Sequence, residues 1–210
     1  MKSRLPLAIA CAVAVSAAPA FGQEHTGHEA HQAQSARAAA GAEAPLRVMT
    51  PQPAIGNIPL VDHEGRATSL AEAIGSDAPV LVNFIFTTCT TICPVMSTGF
   101  SQFQSTLGAD RDRVRLISIS IDPDTDTAEA LRAYAARFGA STSWRFLTGT
   151  REHVIAAQRV FGAYRGDKMN HEPVTYLRRA PRSPWEALDG LSSAGALMRA
   201  YKGDSGTHQH

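Results

Sequence analysis

The chain opens with a basic start at Lys2 and Arg4, followed by an apolar, alanine-rich run from Leu5 to Ala18 that only Pro6 and Ser16 interrupt. Small residues come next, in Ala18-Pro19-Ala20 and Ala20-Phe21-Gly22. That order is the pattern of a secretory signal peptide over residues 1–22, with cleavage expected after Gly22 and Ala20 as second choice. An uncleaved membrane anchor is the alternative, but the run is shorter than the ~20 apolar residues of a span and alanine inserts weakly. Residues 23–48 are rich in Ala, Gln, Gly and His and show no apolar period. Such a stretch buries too little surface to offset its ordering entropy, so a disordered leader is expected there.

From about residue 50 the pattern turns globular. Ile58-Pro59-Leu60-Val61 and Arg66-Ala67-Thr68 flank Asp62-His63-Glu64-Gly65 and predict a short hairpin. Ser69 is placed to cap a short helix ending at Ile74. Two apolar runs, 79–86 and 114–121, carry β-branched and aromatic residues and predict strands buried on both faces, hence central parallel strands. Helical patterns over 93–107, 127–138 and 151–161 alternate with strands, and Gly139 and Gly162 stop the last two. Trp144–Leu147 reads as a short strand, and Val174–Arg178 and Trp185–Leu188 as a strand pair around an Arg-Ser-Pro turn. Ser192 can cap a last helix through Tyr201. The order predicts one α/β domain over 49–202, a mixed sheet flanked by helices on both faces with an N-terminal hairpin extension, and a flexible tail over 203–210.

Composition narrows this further. A chain of 210 residues with 44% hydrophobic side chains is long enough for one domain with a sizeable core. Three cysteines exclude a disulfide-stapled miniprotein. A formal net charge of +1 gives no support for a nucleic-acid partner or a polybasic membrane surface, so membrane contact is expected only through an uncleaved N-terminal anchor. Cys11 falls inside the expected signal, and the apolar run before it is too short for a lipidated export signal. Cys89 and Cys93 remain, in an extracytoplasmic compartment where a pair of thiols can be oxidised.

Cys89-Thr90-Thr91-Ile92-Cys93-Pro94 lies between the first buried strand and a helix that Pro94 fits in its first turn. The C-terminal end of a central strand is where α/β sheets place their sites. A helix N-terminus favours ionised thiols, and four-residue spacing puts both sulfurs near one face. One disulfide or one metal ion can join them; a merely structural disulfide is the plainer reading, although longer loops gain more from a bridge. His171 sits just before the strand Val174–Arg178. Taking the sheet as parallel, that loop lies near the neighbouring strand's C-terminal rim. Two thiolates and an imidazole suit copper and are compatible with zinc, whereas a surface or hydrogen-bonded loop histidine needs no metal. Asp122 and Asp124 fit turn and cap chemistry, with a role near the site as the alternative. Met96 can be a thioether ligand or helix-core packing. His25, His28, His31, His208 and His210 can collect metal ions or simply belong to solvated tails.

At these residues the sequence resembles the SCO/SenC family of extracytoplasmic, thioredoxin-like copper proteins, over about Ile55 to Tyr201. Val82-Asn83-Phe84-Ile85-Phe86-Thr87-Thr88-Cys89-Thr90-Thr91-Ile92-Cys93-Pro94 matches the family's strand and CxxxCP motif. Ser118-Ile119-Ser120-Ile121-Asp122-Pro123-Asp124-Thr125-Asp126-Thr127 matches its Ser-x-Asp-Pro-x-x-Asp-Thr strand end, and His171 the histidine of its copper site. The resemblance implies a thioredoxin-like fold, a periplasmic location and a copper ion, Cu(I) or Cu(II), on Cys89, Cys93 and His171. It also implies a copper-accepting oxidase subunit or another periplasmic copper protein as partner. Three features depart from the family pattern: Asn170 stands where Asp usually precedes the histidine, Pro181-Arg182-Ser183-Pro184 replaces a Pro-Asp-Gly-type turn, and the N-terminal anchor reads as cleaved.

Three functions follow. The first is a copper metallochaperone that serves a cytochrome c oxidase copper centre. The second is a thiol–disulfide oxidoreductase in which Cys89 and Cys93 reduce partner cysteines, with a thiol reductant as a further partner. Exposure favours Cys89 as attacker and the helix terminus favours Cys93, so the order stays open. The third, a peroxidase around Cys93, lacks an Arg or Thr placed beside that thiol.

Overall fold

The computed structural model describes residues 46–204. The expected signal over 1–22 with Cys11, the leader with His25, His28 and His31, and the tail with His208 and His210 lie outside the described residues. Strands β1 (Leu46–Val48), β2 (Pro59–Asp62), β3 (Ala67–Ser69), β4 (Val80–Ile85), β5 (Arg115–Ser120), β6 (Trp144–Thr148), β7 (Val174–Arg178) and β8 (Glu186–Asp189) form one sheet. Their order is β1-β8-β7-β4-β5-β6-β2-β3. Helices α1 (Leu70–Ile74), α2 (Ile92–Leu107), α3 (Ala128–Arg137), α4 (Arg151–Val160) and α5 (Ala194–Lys202) connect and cover it.

The two apolar runs are the central pair. All six β4 residues are buried, and β4 and β5 pair in parallel from Val80↔Arg115 to Ile85↔Ser120. Strand alternation sorts their side chains between two cores. Leu81, Ile85, Leu116, Trp144 and Phe146 face one side, with Phe100 and Phe103 of α2, Leu131 of α3 and Leu197 of α5. Val80, Val82, Phe84, Ile117, Ile119 and Leu147 face the other, with Leu70 and Ile74 of α1 and Ala157 of α4.

Topology places the site. The chain steps from β4 to β5 to β6 in one direction, so right-handed crossovers put α2 and α3 on the same face. After β6 it returns past β4 to β7 by way of α4 on the opposite face. The order therefore reverses beside β4, and a crevice at the strand ends is expected there.

The structure changes three sequence expectations. β7 is antiparallel to β4, pairing Val80↔Arg178 through Asn83↔Thr175. A loop preceding a strand reaches its neighbour's C-terminal rim only when the two run antiparallel, so His171 arrives there for the opposite reason to the one assumed. The sheet begins at Leu46, three residues before the expected domain start, because β1 finds its partners in β8 and Arg47 pairs with Asp189 at 2.6 Å. Ser193, not Ser192, caps the last helix, accepting the Ala196 N–H. Among the described residues no helix is long and apolar enough to cross a membrane.

Gly99 on α2 has no room for a side chain: a Cβ there would sit 2.6 Å from the Ser192 backbone oxygen, where α5 approaches. Gly99→Ala is expected to lower unfolding free energy by about 1–3 kcal/mol, the usual cost of overpacking, as read from the urea midpoint.

Candidate functional site

β4 ends at Ile85, and the next residues turn sharply into α2. The Cys89 N–H donates to the Phe86 carbonyl at 3.1 Å, which closes the turn. Helix α2 then starts without an ordinary cap, since the Thr91 side chain accepts no first-turn N–H. The Cys93 N–H donates instead to the Cys89 Sγ at 3.4 Å. A sulfur thus takes one of the donors that a helix N-terminus leaves over. The Thr91 Oγ1 lies 3.8 Å from the same sulfur.

The two thiols are free and unequal. Cys89 keeps 8% of its surface accessible and Cys93 none. Burial pushes the Cys89 thiol up, but hydrogen bonds from Cys93 and Thr91 outweigh it and leave the thiol below its ordinary value. Burial and the neighbouring Cys89 push the Cys93 thiol far above its ordinary value. The positive helix end therefore serves Cys89, whose side chain bends back over the first turn, whereas Cys93 points into the core. Of the two sulfurs, Cys89 is thus the more accessible and the more readily ionised.

Asp126 secures the loop from below. Its carboxylate is fully buried and accepts from the Thr87 N–H at 3.1 Å, the Thr87 hydroxyl at 2.5 Å and the Ser120 hydroxyl at 2.6 Å. One side chain thereby joins the end of β4, the end of β5 and the entry to α3. The pattern Asp-x-Asp-Thr signalled a cap, and Thr127 does cap α3, accepting the Ala130 N–H. Nothing in that pattern told that Asp126 would turn inward.

The other expected residues separate by role. Asp122 makes the turn, its carbonyl accepting from Thr125 and Asp126, while its carboxylate accepts from Lys168 at 2.6 Å. Asp124 is exposed and pairs with Arg151. Met96 is buried at 3% exposure in α2.

His171 lies at the same rim, just after the 3-10 turn Lys168–Asn170. Burial pushes its imidazole down to about 4, so the ring is neutral at physiological pH. Its Nδ1 is buried without a hydrogen-bond partner. His63 differs: its Nδ1 accepts the Phe146 N–H at 3.2 Å, a structural bond at the β2–β3 turn. An unpartnered neutral imidazole nitrogen and two free thiols are a donor set that fits a soft metal ion. Among the described residues, however, no group of three His, Cys, Asp or Glu side chains is gathered closely enough to hold one. Closing such a site calls for His171 to approach the thiols.

Comparison with known proteins adds the following. A family model described as SCO1/SenC matches residues 49–202. A SCO1 protein homolog of Bacillus subtilis (strain 168) is 44% identical over 76 residues, which span 36% of this chain and 39% of that relative. The solved structure of BsSco, a member of the Sco family of cytochrome c oxidase assembly proteins with an identified disulfide switch, superposes with a TM-score of 0.60 at 27% identity. That match covers 77% of this chain and 98% of BsSco. ScoI of Bradyrhizobium japonicum, solved with copper bound, matches at 26% identity and a TM-score of 0.52, over 62% of this chain and 88% of that one.

The unequal thiols are checked by alkylation of the reduced, folded chain with iodoacetamide and peptide mapping. Cys89 is expected to react first, and Cys93 only when the fold opens. The pH dependence of stability is a separate check. Between 6.5 and about 4 the unfolded chain binds a proton at His171 that the folded chain does not. Stability is therefore full above this window and falls as pH drops through it. His63, also lowered by burial, acts in the same direction. His171→Gln is expected to flatten, without abolishing, the acid-side fall in the urea midpoint.

Proposed function

The chain belongs to the SCO1/SenC family, and we propose that it is an extracytoplasmic metallochaperone that binds copper through Cys89, Cys93 and His171 and passes it to a copper centre of a respiratory oxidase. The observation that carries this reading is the pairing of two free thiols at one strand–helix junction with a buried, neutral, unpartnered His171 Nδ1 at the same rim. A dithiol reductant has no use for that imidazole. The copper bound by the Bradyrhizobium japonicum relative supports the choice of metal, and the family of BsSco supports the choice of acceptor.

Each residue then has a definite task. Cys89 offers a sulfur that ionises readily at the rim. Cys93 must lose a proton that burial strongly holds, so loading releases protons and weakens as pH falls. His171 needs no deprotonation, because its ring is already neutral. Transfer proceeds by exchange of these ligands for those of the acceptor, which meets first Cys89, the sulfur that keeps some accessible surface. A disulfide between the two cysteines removes both thiolates and abolishes binding.

A second reading rests on the asymmetry of the same thiols. A Cys89 thiolate attacks one sulfur of a partner disulfide, forming a mixed disulfide and releasing the other sulfur as a thiolate. Cys93, once deprotonated, then attacks Cys89, leaving a Cys89–Cys93 disulfide and a fully reduced partner. This is the chemistry of a thiol–disulfide oxidoreductase acting on partner cysteines.

Cu(I) titration of the reduced full chain separates the two, with His25, His28, His31, His208 and His210 all replaced by Ala so that the tails do not compete. One copper per chain is expected, and His171→Ala is expected to weaken it by ~10-fold or more, the scale on which even outer partners of a metal ligand act. Binding indifferent to His171, with disulfide reduction intact, would establish the oxidoreductase reading instead.

A further inference from the structure

The segment before β7 is tied to the thiol loop by one side chain with no assigned role. The Lys168 Nζ donates to the Asp122 Oδ2 at 2.6 Å and stands 5.4 Å from the centre of the Phe86 ring. Both partners are anchored. The Asp122 N–H donates to the Ser120 Oγ at 3.0 Å, and that hydroxyl donates to Asp126, which also holds Thr87. Phe86 is buried, and its carbonyl accepts the Cys89 N–H. A continuous polar chain therefore runs from Thr87, two residues before Cys89, through Asp126, Ser120 and Asp122 to Lys168, three residues before His171.

Apart from Lys168, the turn is held by local contacts, with the Arg165–Glu172 ion pair bracketing it. Asp167 caps it through the Met169 N–H, and the Asn170 and His171 N–H groups return to the Asp167 and Lys168 carbonyls. Every one of these bonds is internal to the turn. Gly162 and Gly166, both at positive φ, bound the connection from α4. Lys168 and His171 also border a cleft of about 70 Å³, with Ile121, Pro123, Gln158 and Tyr164 among its walls, so the segment has room to shift. Met169, at 75% exposure, adds no packing. The Asp122 carboxylate is nearly buried, where an ion pair is screened less than at the surface, and the ring face adds to it.

We propose that Lys168 is a positioning residue for His171. Its ammonium group, seated on Asp122 and the Phe86 ring, tethers the 168–171 turn beside the thiol loop, so that His171 makes its approach to Cys89 and Cys93 from a segment already held next to them and has less disorder to lose on binding copper. Preorganisation of this kind raises affinity by lowering the ordering cost of binding. The inference rests on the Cys89–Cys93–His171 reading above. Sequence spacing does not suggest it, because Lys168 and Asp122 are 46 positions apart.

The test uses the full chain with the five tail histidines replaced as before, and the variants Lys168→Gln and Lys168→Arg in both His171 and His171→Ala backgrounds. Lys168→Gln is expected to weaken Cu(I) binding by ~10-fold with His171 present and by less than ~2-fold with His171→Ala, while Lys168→Arg restores most of the loss. Equal weakening in both backgrounds would mean that Lys168 acts on the thiolates by charge, and no weakening would mean that it does nothing; either result overturns the proposal. An independent readout needs no copper. In the reduced metal-free chain, hydrogen exchange of the Asn170 and His171 amides is expected to quicken in Lys168→Gln while the β4 and β5 amides stay protected. Unchanged exchange at those two amides overturns the clamp. Should His171→Ala alone leave copper binding intact, the three-ligand reading fails, and the exchange experiment still decides whether Lys168 holds the turn.

Discussion

The end of β4 and the distant β5–α3 connection meet at the C-terminal rim of β4, and the Asp126 carboxylate holds them together. It accepts from the Thr87 backbone and hydroxyl on one side and from Ser120 on the other, while its own backbone leads into α3. A buried carboxylate is tolerable only when such donors replace its lost water. Here the donors come from the ends of the two central strands. The position of the thiol loop is thus a by-product of satisfying one buried charge, and Asp122 and Lys168 extend the same network outward to the histidine segment.

The asymmetry of the cysteines follows from how α2 begins. A first-turn N–H that would ordinarily bond an oxygen bonds the Cys89 sulfur, which stabilises a negative charge at the rim. Cys93 continues the helix and enters the core with Phe100 and Phe103, where a thiolate is poorly solvated. One sulfur is kept ready and the other is withheld.

The histidine contributes through burial. Its ring is kept neutral by desolvation, and its Nδ1 is left without a partner, at a cost that the rest of the fold offsets. Asn170 precedes it in place of the acidic residue usual in the resembling family, so the ring lacks a negative neighbour on that side. Glu172 follows it but is engaged by Arg165 at 2.7 Å. Orientation of the imidazole is therefore left to the backbone of the 168–171 turn and to the walls the ring shares with Phe84 and Tyr176.

Much of this was legible in the residues alone. Continuous apolar runs marked β4 and β5, Thr127 and Ser69 marked helix starts, and the CxxxCP spacing marked a dithiol at a strand–helix junction, because each rests on local periodicity or on bonds spanning a few positions. The direction of β7, the recruitment of Leu46–Val48 to the sheet edge and the inward turn of Asp126 were not legible, since each depends on a partner far along the chain. The residues alone named the groups that could act, two thiols and one imidazole, and the strand that carries the thiols. Long-range packing selected which thiol the helix end serves, which histidine nitrogen is left unpartnered and which lysine sits beside the turn before it. Those outcomes are set by burial and by hydrogen bonds between distant segments, and neither quantity exists until the sheet has closed.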